Sequence, residues 1–203
     1  MDKNVHAKSG KKNLAILLFK DVEVLDFAGP FEVFSVFNEL NNYERLHVYT
    51  VAEDIDTIQA RNRLQVVPDY PINTAQIPDY LIIPGGIGTR ALLENDTVLN
   101  WILQVSKTCD NIMSVCSGAL ILAKLGLLKD LSATTHHQIF DELKALEPDT
   151  NIIQDQRFTD NGKILTSAGV AAGIDMCLYM VARLYGQDQA KATARYIEYP
   201  YSF

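Results

Sequence analysis

Cys116, followed directly by Ser117 and Gly118, is the residue of this chain best placed for nucleophilic chemistry. It ends a short apolar run, Ile112, Met113 and Val115, of the kind that fills a buried parallel strand. After it, Ala119, Leu120, Leu122, Ala123 and Leu125 recur at helical spacing, and Gly126 is placed to stop the helix. A strand that turns straight into a helix holds its joint residue on a tight elbow, with the following backbone N–H groups at the positive end of the helix. A thiolate is stabilised there, so the expected titration lies below the free-thiol value of about 8.5. The plainer alternative is a small buried core cysteine. The elbow, the adjacent hydroxyl and the glycine that lets another backbone approach argue against it.

A nucleophilic thiolate needs an anion-stabilising pocket and a proton carrier. The N–H groups of Ser117 and Gly86 are the expected oxyanion donors. Gly85 and Gly86 lie in the cluster Pro84-Gly85-Gly86-Ile87-Gly88, where glycine permits close backbone approach to a ligand. Asp26 is the candidate proton carrier, standing among Leu25, Phe27 and Ala28 at an expected helix start. An aspartate there also serves as a helix N-cap, and the two roles are compatible. Beside Cys116, an ionised carboxylate disfavours a thiolate whereas a protonated one donates to it, so the two groups would share their titration. Glu23 is expected to be solvated. His136 and His137 offer a Cys–His dyad, but a surface or supporting position is the commoner use of such histidines. The His-His pair lacks the i, i+4 helical spacing and carboxylate company of a metal motif, so no metal is expected.

The elements that must position these groups alternate. Residues 14–19, 46–52 and 80–83 are apolar strand candidates, and 27–40, 98–105 and 168–185 are helical, with Gly29-Pro30 early in the first of them. Residues 58–67 form an extended excursion ended by Pro68, and 133–137 lead into a helix through Leu146. Asp160-Asn161-Gly162 marks a hairpin turn inside 157–166, and 187–196 make a last short helix. Strands alternating with helices specify an α/β fold whose mostly parallel sheet is covered on both faces. Ligands of such sheets bind at the carboxyl ends of the strands. Three loops meet there, 21–26, 85–88 and 116–118, and they carry every candidate above except the histidines.

Bulk properties narrow the function further. The 203 residues suit one domain, expected over 13–203, behind a polar, lysine-rich tail at 1–12. A net charge of -7 and a pI near 5.0 argue against nucleic acid as a partner. No apolar run reaches membrane-spanning length and no signal-peptide core follows the start, so no membrane association and a cytoplasmic location are expected. Cys109, Cys116 and Cys177 are odd in number and scattered, giving neither a disulfide framework nor a zinc site.

The residues resemble the ThiJ/PfpI superfamily, flavodoxin-like relatives of the class I glutamine amidotransferases. The resemblance runs through Leu25-Asp-Phe-Ala-Gly-Pro30, Ile83-Pro-Gly-Gly86, Ser114-Val-Cys-Ser-Gly-Ala119, Ala133-Thr-Thr-His136 and Thr166-Ser-Ala-Gly-Val-Ala-Ala-Gly-Ile-Asp175. It implies a flavodoxin-like three-layer sandwich with a nucleophile elbow, the nucleophile at Cys116 and its acidic partner at Asp26. The pattern is most similar to the isocyanide hydratases and to the sensor domains of AraC-type regulators. In the hydratases a threonine usually follows the cysteine; Ser117 keeps the hydroxyl and loses the methyl. The protease branch has a histidine directly after the cysteine, which this chain lacks. The AraC-type relatives carry a further DNA-binding domain, and none is expected within these residues.

The resemblance implies conversion of an isocyanide to an N-substituted formamide, with a small-molecule substrate, no cofactor and a homodimer. Two other readings stay open. One is a non-catalytic sensor whose elbow thiol is oxidised or holds a small ligand. The other is glyoxalase- or amidase-like chemistry on a small carbonyl compound.

Overall fold

The structure, a computed structural model, describes residues 10–200. Its strands are β1 (Lys12–Leu17), β2 (Leu46–Ala52), β3 (Ile58–Gln59), β4 (Gln65–Val66), β5 (Tyr70–Pro71), β6 (Tyr80–Ile83), β7 (Asn111–Val115), β8 (Ser132–Ala133), β9 (Asn151–Ile152), β10 (Phe158–Asp160) and β11 (Ile164–Ser167). Its α-helices are α1 (Val24–Leu40), α2 (Thr89–Leu92), α3 (Asp96–Thr108), α4 (Gly118–Lys124), α5 (Phe140–Leu146), α6 (Ala172–Tyr185) and α7 (Gln187–Tyr196).

Seven strands form one sheet in the order β10-β11-β7-β6-β1-β2-β5. All its pairings are parallel except the hairpin of β10 with β11. Every residue of β6, β7 and β11 is buried, as expected of strands covered on both faces. This is the flavodoxin-like α/β fold, with helices packed against a mostly parallel sheet. The strand order has a direct consequence for the site. Because β7, β6 and β1 are neighbours, the loops that follow them emerge side by side at their carboxyl ends. Leu81 stands beside Ile112 and Ile83 beside Ser114, which brings Gly85 level with the Cys116 turn.

Several boundaries differ from expectation. Lys12 belongs to β1 rather than to a tail: its ammonium bonds Asp79 at 2.7 Å and Asp110 at 2.9 Å, tying down the start of the strand. Residues 1–9 of the expected tail lie outside the described residues. Helix α1 starts at Val24, three residues ahead of the expected Phe27, and Glu23 is its N-cap. Pro30 is therefore inside the helix rather than in its first turn. Its missing N–H leaves the Asp26 carbonyl without the usual i+4 donor. Helix α6 begins at Ala172, not Ala168, because β11 continues to Ser167 and 168–171 form a loop. Among the described residues no helix is long and apolar enough to cross a membrane.

Candidate active site

Cys116 occupies the turn between β7 and α4 with φ 55, in the left-handed region that a non-glycine residue adopts only when its surroundings hold it there. Three contacts do the holding. The Cys116 N–H donates towards the Ser167 and Ala168 carbonyls, both at 3.2 Å, and the Cys116 carbonyl accepts the Thr135 hydroxyl at 2.6 Å. Gly118 lets α4 begin hard against β6, since a Cβ there would stand 2.1 Å from the Ile83 carbonyl oxygen. The elbow is thus imposed from three sides.

Asp26 is fully buried in the first turn of α1. The N-cap alternative is excluded by position, because Glu23 holds the cap. Asp26 Oδ2 accepts the Gly85 N–H at 3.0 Å, and Oδ1 is buried without a hydrogen-bond partner. The carboxyl also faces the Cys116 thiol and the Val170 N–H. Burial raises the Asp26 carboxyl to about 7, against the pull of the Gly85 N–H. Burial likewise pushes the Cys116 thiol up to about 12, and the neighbouring Asp26 charge adds to it. The expected titration below 8.5 is therefore overturned. The helix-end and N–H stabilisation is present, but desolvation and a like charge outweigh it.

The Ser117 and Val170 N–H groups both favour a negative charge on Cys116. The Gly86 N–H, expected as an oxyanion donor, instead donates to Ser117 Oγ at 2.9 Å. No role for Val170 is legible in the sequence, because its run of small residues has the composition of a helix start. It has φ 50 and sits in the loop after β11, the strand beside β7. Gly85 has no space for a side chain: a Cβ would lie 2.5 Å from the Ser117 nitrogen and 2.8 Å from Asp26 Oδ2.

A cavity of about 460 Å³ is lined by Cys116, Ser117 and Gly86 together with the apolar Ile87, Ile139 and Val170. Glu23, expected to be solvated, lines it together with Arg61, Arg90 and His136. His136 makes no hydrogen bond to Cys116 among the described residues. Its Nδ1 accepts the Gln138 N–H at 3.3 Å and its ring lies 4.3 Å from that of His137, so it shapes the wall. Burial, with the neighbouring His137, lowers its pKa. Among the described residues no cluster of His, Cys, Asp and Glu has the arrangement of a metal site. The chemistry available is that of a buried thiol and carboxyl sharing protons beneath a small, partly apolar cavity.

The model of the DJ-1/PfpI family matches residues 12–183. Isonitrile hydratase from Pseudomonas putida is 30% identical over 189 residues, a match covering 92% of this chain and 78% of that protein. The HTH-type transcriptional regulator GbdR from Pseudomonas aeruginosa is 23% identical over 188 residues, covering 93% of this chain and 51% of the regulator, so the chain spans about half of its length. Among solved structures, a ThiJ/PfpI family protein from Pseudomonas syringae superposes with a TM-score of 0.85 at 31% identity, covering 96% of this chain and 77% of that one.

Proposed function

The chain belongs to the DJ-1/PfpI family, and from that membership we propose that it is a cysteine-dependent enzyme hydrating a small isocyanide to an N-substituted formamide. The observation that carries the reading is the pair formed by Cys116 and Asp26. A carboxyl held at about 7 beside a thiol exchanges protons readily at neutral pH, which is what a general acid–base catalyst requires. The match to isonitrile hydratase, another name for isocyanide hydratase, supports the choice of reaction.

In this mechanism Cys116 Sγ bonds to the terminal carbon of the isocyanide. The thiol proton passes to the Asp26 carboxylate, and Asp26 delivers it to that same carbon, giving a thioimidate. Water adds across the C=N bond, placing its hydroxyl on carbon and a proton on nitrogen. The tetrahedral adduct then expels Cys116, the hydroxyl proton returns to sulfur, and the formamide leaves. The Ser117 and Val170 N–H groups stabilise the negative charge on sulfur as it forms and departs.

A second reading, a sensor of an oxidant or small ligand, draws on the match to GbdR. Isocyanides, methylglyoxal and small amides offered to wild type and to Cys116→Ala separate the two. Cys116-dependent hydration of an isocyanide supports the enzyme. Turnover of methylglyoxal or an amide alone replaces the reaction, and no turnover at all puts the sensor ahead.

A further inference from the structure

The short excursion of β3 and β4 has no part in the reaction above, yet it brings a cation, Arg61, to the lining of the cavity. Arg61 follows β3, and three backbone bonds fix the segment: its own N–H donates to the Val22 carbonyl at 2.8 Å, Asp21 donates to Gln59 at 2.9 Å, and Ala60 donates to Leu64 at 2.7 Å. Val22 in turn bridges to Gly86, so the loop carrying Arg61 is coupled to the loop beneath the cavity.

The guanidinium is poorly occupied. Its one ion pair is to Glu23, through Nε at 3.9 Å, and among the described residues neither Nη1 nor Nη2 makes a hydrogen bond. Arg90, the other arginine on the cavity, is committed: it bonds Glu142 at 2.5 Å and Thr89 at 3.2 Å. A guanidinium with a free Nη edge presents a planar fork that matches a carboxylate in two parallel hydrogen bonds. The lining shared with the thiol carries apolar surface at Ile87, Ile139 and Val170, alongside the polar Glu23, His136 and Gln138.

We propose that Arg61 is a specificity-determining residue that recognises a carboxylate, or a similar planar anion, on a small substrate whose apolar body lies against Ile87, Ile139 and Val170. The substrate would then carry its anionic end at Arg61 and its reacting end at Cys116. The location of the reacting end rests on the proposed function; the anion site does not.

The test compares benzoate with benzamide, of the same size but uncharged, by ligand-observed saturation-transfer NMR on wild type, Arg61→Gln, Arg61→Lys and Arg90→Gln. Wild type is expected to bind benzoate about tenfold more tightly than benzamide. That ratio should fall to near one in Arg61→Gln, be partly kept in Arg61→Lys, which retains charge without the fork, and persist in Arg90→Gln. Equal binding in wild type, survival of the preference in Arg61→Gln, or its loss only in Arg90→Gln overturns the proposal. Turnover of 4-isocyanobenzoate against its methyl ester is measured in parallel. A benzoate preference that follows Arg61 without hydration of either isocyanide keeps the anion site and removes the hydratase. Hydration of both compounds with no effect of Arg61 on the binding ratio does the reverse.

Discussion

Ser117 Oγ and the Gly86 backbone bind each other in both directions: the hydroxyl accepts the Gly86 N–H at 2.9 Å and donates to the Gly86 carbonyl at 3.0 Å. One buried hydroxyl therefore clasps the cysteine elbow to the glycine loop, and so joins the ends of β6 and β7. Serine at this position is used for positioning, with no side-chain capping of α4.

Ser117→Ala should accordingly loosen the site. Losing both bonds and leaving the Gly86 N–H unsatisfied, while the Gly86 carbonyl keeps the Thr89 hydroxyl at 2.8 Å, is expected to cost about 1–3 kcal/mol. At roughly 2–4 °C per kcal/mol for a chain of this size, the melting temperature should fall by several degrees. Calorimetry checks this. An unchanged melting temperature would mean that the clasp contributes nothing to stability.

Asp26→Asn separates catalysis from folding. Because the folded carboxyl titrates at about 7 rather than near 3.8, the native state holds its proton more tightly than the unfolded chain does. The contribution of this group to stability is fully present below about pH 4 and is lost as pH rises to about 7. Asparagine cannot ionise, so the variant should lose that part of the pH dependence and gain stability relative to wild type above pH 7. Denaturant melts from pH 4 to 8 measure the difference. In the proposed reaction the same variant should lose roughly 10²–10⁴-fold in rate. Combined with Cys116→Ala it should be hardly worse than Cys116→Ala alone, since members of one unit are not additive.

The thiol should titrate high. The rate of Cys116 alkylation by iodoacetamide is expected to keep rising above pH 9, because burial and the Asp26 charge both resist the thiolate. In Asp26→Asn the profile should shift to lower pH, as one of those two causes is gone. Cys116 should still react before Cys109 and Cys177, since it faces a cavity whereas those two are packed in the core. Mass spectrometry of each labelled cysteine across the pH series decides both points, and a wild-type plateau near neutrality would reverse the assignment.

A homodimer is expected from the family resemblance. Size-exclusion chromatography with light scattering at micromolar concentration should give about 45 kDa, twice the 22.7 kDa chain. A mass equal to one chain would remove the expectation.

The sequence by itself determined the main elements and which loops meet at the carboxyl ends of the strands. Apolar runs with intervening helical periodicity specify buried strands and covering helices, and β2, β6 and α7 have the boundaries that pattern implies. Cys116 at a strand-to-helix joint is legible because the change of period falls at that residue. The double glycine is legible because only glycine permits such close packing, as the contacts around Gly85 bear out. Tertiary structure decided what periodicity cannot carry. Val170 reaches the site only because β11 pairs with β7, a long-range contact with no local signature in a run of small residues. Glu23 rather than Asp26 caps α1, and Arg61 comes to the cavity lining through backbone bonds to another loop. The titration of Cys116 was decided in the same way. The elbow favours a thiolate through local dipoles, but burial and the Asp26 carboxyl are properties of the assembled core, and there they weigh more.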